Sequence, residues 1–170
     1  MAEGSVDRTE RMSMSATIRL FAFGTLKRGF ALHERGLARA QYRGLFKTRK
    51  PYPMLIAGRW FAPMMFDEPG NGTTVKGELY EVDDQTLRRL DLLESIGRPG
   101  HFRGLIELER VGGGDSSVAF AYFKSRSLAK PMHSDYLSTY DDRRFIPPEQ
   151  RIEREPDQSR GTYSKGAGLR

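Results

Sequence analysis

Ile18-Arg19-Leu20-Phe21-Ala22-Phe23-Gly24-Thr25-Leu26 is the stretch on which the reading of this chain turns. Its first six residues are mostly apolar and aromatic, which is the pattern of a buried strand. The strand stops at Gly24, where no Cβ keeps other groups away. Thr25, Leu26 and a basic turn, Lys27-Arg28-Gly29, follow. Successive backbone N–H groups in such a turn can form a concave donor site for a carboxylate or phosphate. The same residues also read as a plain strand and glycine turn, and this stretch alone leaves both readings open.

Working outward, residues 31–40 read as a short helix weakened by Gly36. Tyr42 to Thr48 and Tyr52 to Ala57 read as strands, with Pro51 and Pro53 biasing the second to an edge. Trp60 to Phe66 is a hydrophobic segment that needs a core or a pocket. Pro69-Gly70-Asn71-Gly72 is the strongest turn signal. A strand over Thr74 to Val82 leads to Asp83 as a helix N-cap and a helix over 84–95. Phe102 to Val111 and Ser117 to Phe123 read as a hairpin around Gly112-Gly113-Gly114-Asp115. A turn of helix is expected near Tyr136 and Leu137. About six strands, mostly sequential and antiparallel, with one or two helices predict an α+β domain: a small, closed or nearly closed barrel with a helix against it. Residues 1–15 read as a leader and 151–170 as a basic tail, leaving one domain over 16–150.

An apolar share of 38% with 29% charged residues excludes a disordered chain. The absence of cysteine excludes a thiol nucleophile and cysteine-ligated metal, and suits a reducing cytoplasm. No apolar run reaches the roughly 18 residues of a membrane span, and the polar start lacks a signal-peptide pattern. The formal net charge is +6, and +5 of it falls between residues 17 and 150. Eight basic residues stand between Lys27 and Lys50 against one acid, Glu34. Such a run fits a solvated face, a field that steers a small anionic substrate, or nucleic-acid binding.

At about 100° per residue, Leu87, Leu90 and Glu94 fall on one side of the 84–95 helix. Burial disfavours the charged form of a carboxylate, the condition under which it serves as a general base near neutral pH. Two readings are open for Glu94: an inward catalytic carboxylate, or a side chain that bends to water or pairs with Arg98 or Arg103. His33, His101 and His133 show no helical i, i+4 pair, and the acids show no metal-cage spacing, so no metal site is expected. Neither a nucleophile elbow nor a phosphate-binding P-loop occurs.

Phe23-Gly24-Thr25-Leu26-Lys27-Arg28-Gly29 resembles the Tyr-Gly-Thr-Leu-Lys-x-Gly opening of the gamma-glutamylcyclotransferase-like family. Pro51-Tyr52-Pro53-Met54, Pro69-Gly70-Asn71-Gly72, Gly77 to Asp83 and Leu90-Asp91-Leu92-Leu93-Glu94 follow in the family's order. Tyr140-Asp141 and Pro148-Glu149-Gln150-Arg151 resemble the end of its gamma-glutamylamine branch. The resemblance covers about residues 17–151. Phe23 stands where the family has Tyr, and Leu93 where many members have Phe.

The resemblance implies a mixed, largely closed β-barrel with flanking helices. It implies an intramolecular reaction in which the α-amine of a γ-glutamyl group attacks its own γ-carbonyl, closes 5-oxoproline and expels an amine. Glu94 would then be the proton carrier, and Phe23, Gly24, Thr25 and Leu26 would line the substrate site. No cofactor is implied. The expected partner is a small γ-glutamyl amine such as γ-glutamyl-ε-lysine, with neither membrane nor nucleic acid. A cyclotransferase for another γ-glutamyl compound, and a non-catalytic binding module of the same fold, are the alternatives.

Overall fold

The computed structural model describes residues 16–152; the expected leader and nearly all of the expected tail lie outside them. Five strands close a barrel: β1 (Ile18–Ala22), β2 (Gln41–Thr48), β5 (Lys76–Val82), β6 (His101–Arg110) and β7 (Ser116–Lys124). Around the barrel the order is β1-β5-β2-β6-β7. Every neighbouring pair is antiparallel except the closing one, β1 beside β7, which is parallel through Leu20 and Phe120. The barrel is therefore mixed and mostly antiparallel, as expected. The order is not mostly sequential, however, because β5 inserts between β1 and β2. A separate hairpin pairs β3 (Met54–Ala57) with β4 (Ala62–Met65).

From Leu20 onward the first strand is buried on both faces, which explains the apolar run that follows the exposed Arg19. Phe21 and Phe23 pack into the barrel core with Phe46, Leu79, Ile106 and Phe123. Leu20 and Ala22 face the other way, onto Leu37, Tyr80, Leu87 and Leu90. That second layer is built by the two helices, α1 (His33–Gly36) and α2 (Asp84–Leu93). Gly36 permits the helices to meet, since a Cβ there would lie 2.8 Å from side-chain atoms of both Leu26 and Leu90. Asp83 caps α2 as the sequence predicts, its carboxylate accepting from the Thr86 N–H at 2.7 Å.

Trp60 to Phe66 finds both a core and the wall of a cavity, and forms β4, whose register with β3 runs from Met54–Met65 to Ala57–Ala62. One further expectation is corrected. No helix forms around Tyr136 and Leu137; the chain is irregular there and serves as a strap. Leu137 N–H donates to Met54 O at 2.7 Å, and Lys76 N–H to Ser138 O at 2.7 Å. Strand-edge carbonyls and amides thus capture the segment, which satisfies its backbone without a helix. Among the described residues no helix is long and apolar enough to cross a membrane, and no group of three metal-ligating side chains occurs.

Candidate active site

One cavity of about 430 Å³ opens where the end of β1, the β3–β4 hairpin and the C-terminal end of α2 converge. Phe23, Gly24, Thr25 and Leu26 line it, and so does Glu94, some seventy residues later in the chain. The strand end and the glutamate singled out from sequence therefore share one space.

Each is positioned by local chemistry. Gly24 is needed for packing: a Cβ there would lie 2.7 Å from Cγ of Pro63 in β4. The carbonyls of Gly24 and Thr25 accept from the N–H groups of Lys27 and Leu32, at 3.0 Å each. The N–H groups of Gly24, Thr25 and Leu26 have no acceptor among the described residues. All three residues are buried. Buried backbone donors are nearly always paired in a finished structure, and these three remain available to an acceptor.

Glu94 caps the C-terminus of α2, its N–H donating to Leu90 O at 2.8 Å. The helix ends at Leu93, short of the expected 95, because Ser95 takes φ 60°. A left-handed, non-glycine residue is strained on the order of 1–2 kcal/mol. Ser95 also lines the cavity. The Glu94 side chain is 16% exposed, and its Oε2 lies 3.4 Å from Lys124 Nζ.

Lys124 ends β7 directly opposite His101 on β6. Its Nζ is 2.9 Å from His101 Nδ1 and 3.3 Å from the Glu94 carbonyl oxygen. His101 Nδ1 also lies 3.2 Å from the Glu94 carbonyl oxygen, so it accepts from the ammonium in one tautomer and donates to that carbonyl in the other. Burial and the Lys124 charge both hold His101 below its usual value, consistent with a neutral ring. Neither arginine considered from sequence pairs with Glu94. Arg103 instead binds Asp91, one turn earlier on α2, at 2.7 and 2.8 Å. Asp91 also accepts from the Tyr122 hydroxyl at 2.8 Å; burial, then that bond, pushes Tyr122 well above its usual range.

None of the eight basic residues of the 27–50 run lines the cavity. Lys27 is buried, donates to Tyr140 O at 2.6 Å and is held below its usual range chiefly by that burial. Arg28 stacks on Tyr42, while Arg35, Arg43 and Lys47 pair with Glu149, Glu81 and Glu109. Among the described residues, the cations that do line the cavity are Arg59, Arg98, Lys124, Lys130 and Arg151, and Glu94 is the only acid. Sequence reasoning passed over His101 and Lys124 by searching for helical histidine pairs; the signal lay in a cross-strand pair that only register reveals.

The family model described as gamma-glutamyl cyclotransferase, AIG2-like matches residues 20–142. The gamma-glutamylaminecyclotransferase of Bos taurus is 36% identical over 144 residues, covering 78% of this chain and 83% of its own. A putative gamma-glutamylcyclotransferase of Arabidopsis thaliana is 40% identical over 104 residues, 58% of this chain, which spans about half (55%) of that relative's length. The crystal structure of an AIG2-like protein from Mus musculus superposes with a TM-score of 0.69 at 32% identity. It covers 79% of this chain and 99% of the mouse one. By sequence and by fold, the chain belongs to the gamma-glutamyl cyclotransferase, AIG2-like family of enzymes.

Proposed function

We propose that this enzyme releases 5-oxoproline and a free amine from γ-glutamyl amines, with Glu94 as the proton carrier. The observation that carries the reading is that Glu94 lines the same cavity as Gly24, Thr25 and Leu26, three residues whose N–H groups have no acceptor among the described residues. The Glu94 carboxylate takes a proton from the substrate's α-ammonium. The freed amine attacks the γ-carbonyl carbon, and the carbonyl electrons move onto oxygen. The N–H groups stabilise that oxyanion, an effect typically worth a few kcal/mol. The C–N bond to the leaving amine then breaks as its nitrogen receives that proton from Glu94; the ring nitrogen loses its second proton through the restored carboxylate to the freed amine, which leaves as the ammonium.

Both reacting groups belong to one substrate, so the cavity has only to fold the γ-glutamyl arm into attack geometry. The names of the bovine and murine relatives specify γ-glutamyl amines, which favours that class over other γ-glutamyl compounds. Incubation with γ-glutamyl-ε-lysine should yield 5-oxoproline and lysine in equal amounts. Glu94→Gln should stay folded and lose roughly 10²–10⁴-fold in kcat. Failure of a panel of γ-glutamyl compounds to give product overturns the reaction; an active Glu94→Gln overturns the assignment of the base.

A further inference from the structure

Two guanidinium groups lie against one indole at the rim of the cavity. The Arg59 Cζ is 4.5 Å from the Trp60 ring centroid, and the Arg151 Cζ is 5.1 Å from it. Arg151 also lies 5.7 Å from the Phe145 ring. Its Nε donates to Ile146 O at 3.0 Å, while Ile146 N–H donates to Trp60 O at 3.0 Å. The guanidinium is thus fixed in place by a single bond at Nε. Its two terminal nitrogens, four of its five N–H donors, have no acceptor among the described residues.

The imbalance is wider than this cluster. The side chains of Arg59, Arg98 and Lys130 make no hydrogen bond or ion pair among the described residues, and all line the same cavity. The one carboxylate of the wall among the described residues, Glu94, already has Lys124 beside it. A γ-glutamyl group brings a single carboxylate, enough for one bidentate guanidinium contact. The remaining positive charge has no counterpart in that half of a substrate.

We propose that Arg59, Trp60 and Arg151 form a subsite for a leaving amine that itself carries a carboxylate, its aliphatic chain lying on the indole. This rests on the reaction proposed above and narrows it. Amines that bring only positive charge to the rim, such as diamines and polyamines, are disfavoured as leaving groups by like-charge repulsion.

The test compares γ-glutamyl-ε-lysine with γ-glutamylcadaverine, which differ only in the terminal carboxylate. The native enzyme should favour the first by about tenfold or more in kcat/KM, the scale of one charge-assisted contact. Added salt should shrink the ratio. Arg59→Gln and Arg151→Gln should each move it toward one, mainly through KM. Arg59 is exposed and its side chain makes no hydrogen bond, so that variant reads the subsite even where Arg151→Gln unsettles the fold. Equal kcat/KM values in the native enzyme, or an unchanged ratio in Arg59→Gln, overturn the subsite. Calorimetric binding of both compounds separates the two ideas. Tighter binding of the carboxylate compound without turnover of either overturns the reaction and upholds the subsite. Turnover of both without preference does the reverse.

Discussion

Arg103 reaches both carboxylate oxygens of Asp91 through one nitrogen, Nη1, at 2.8 and 2.7 Å. The contact ties the last turn of α2 to β6, and the Tyr122 hydroxyl ties it to β7. Asp91 itself is absent from the cavity wall, so its part is to hold the helix end from which Glu94 emerges. Asp91→Ala leaves Arg103 and a buried Tyr122 hydroxyl without their partner. It should lower stability by about 1–3 kcal/mol. In the proposed reaction kcat should fall more than KM rises, since the base is displaced while the donors near Gly24 stay. Chemical denaturation and steady-state kinetics on the same preparation check both.

Gly24→Ala places a methyl group 2.7 Å from the Pro63 ring. Neither backbone can retreat without opening the contact between β4 and the loop after β1. We expect a loss of about 1–3 kcal/mol, as for other overpacked sites. Binding of a γ-glutamyl ligand should weaken as well, because the same shift moves the N–H groups of Gly24, Thr25 and Leu26. A thermal melt and a ligand titration read the two effects separately.

His101 titrates below 6.5 in the fold and near 6.5 in the unfolded chain. Between those values the unfolded state binds more protons, so stability falls as the pH falls. The contribution is complete above about 6.5 and is lost on acidification through the folded value. Melting temperatures measured from pH 7.5 downward should decline more steeply for the native protein than for His101→Gln. Parallel curves would contradict the neutral imidazole inferred beside Lys124.

Tyr140 is 1% exposed, and its hydroxyl has no hydrogen-bond partner among the described residues. Burial raises its pKa far above the ordinary tyrosine range. The backbone bond from Lys27 uses the Tyr140 carbonyl and survives any change of the side chain. Tyr140→Phe should therefore be neutral or stabilising, by up to about 1 kcal/mol, as the cost of the unpaired oxygen disappears. Denaturation midpoints at an unchanged m-value check it.

The parts of this structure that are legible in sequence are those with a local cause. The first strand announces itself by the apolar run from Leu20 to Phe23, and α2 by Asp83 and the spacing of Leu87 and Leu90. Glu94 falls on the inward side of that helix even though the regular turns stop one residue before it. What escaped has a non-local cause. β4 hides in Trp60 to Phe66 because both its faces find apolar neighbours and Pro63 interrupts the alternation. The partner of Glu94 depends on β6–β7 register, which sets Lys124 against His101 and leaves Arg103 to Asp91. The basic run 27–50 drew attention by density, yet half of its cations are paired or stacked at the surface and none lines the cavity. The cavity collects its cations one at a time from distant parts of the chain.

The parallel seam between Leu20 and Phe120 joins residues a hundred positions apart. Closing so long a loop is entropically expensive and places a late, slow event in the formation of the barrel. Gly24, Thr25 and Leu26 continue directly from the strand that makes the seam, so their donors gain a fixed direction only when the ring is complete. Refolding kinetics should then show helical signal well ahead of ligand binding, with the recovery of the binding cavity serving as a clock for barrel closure.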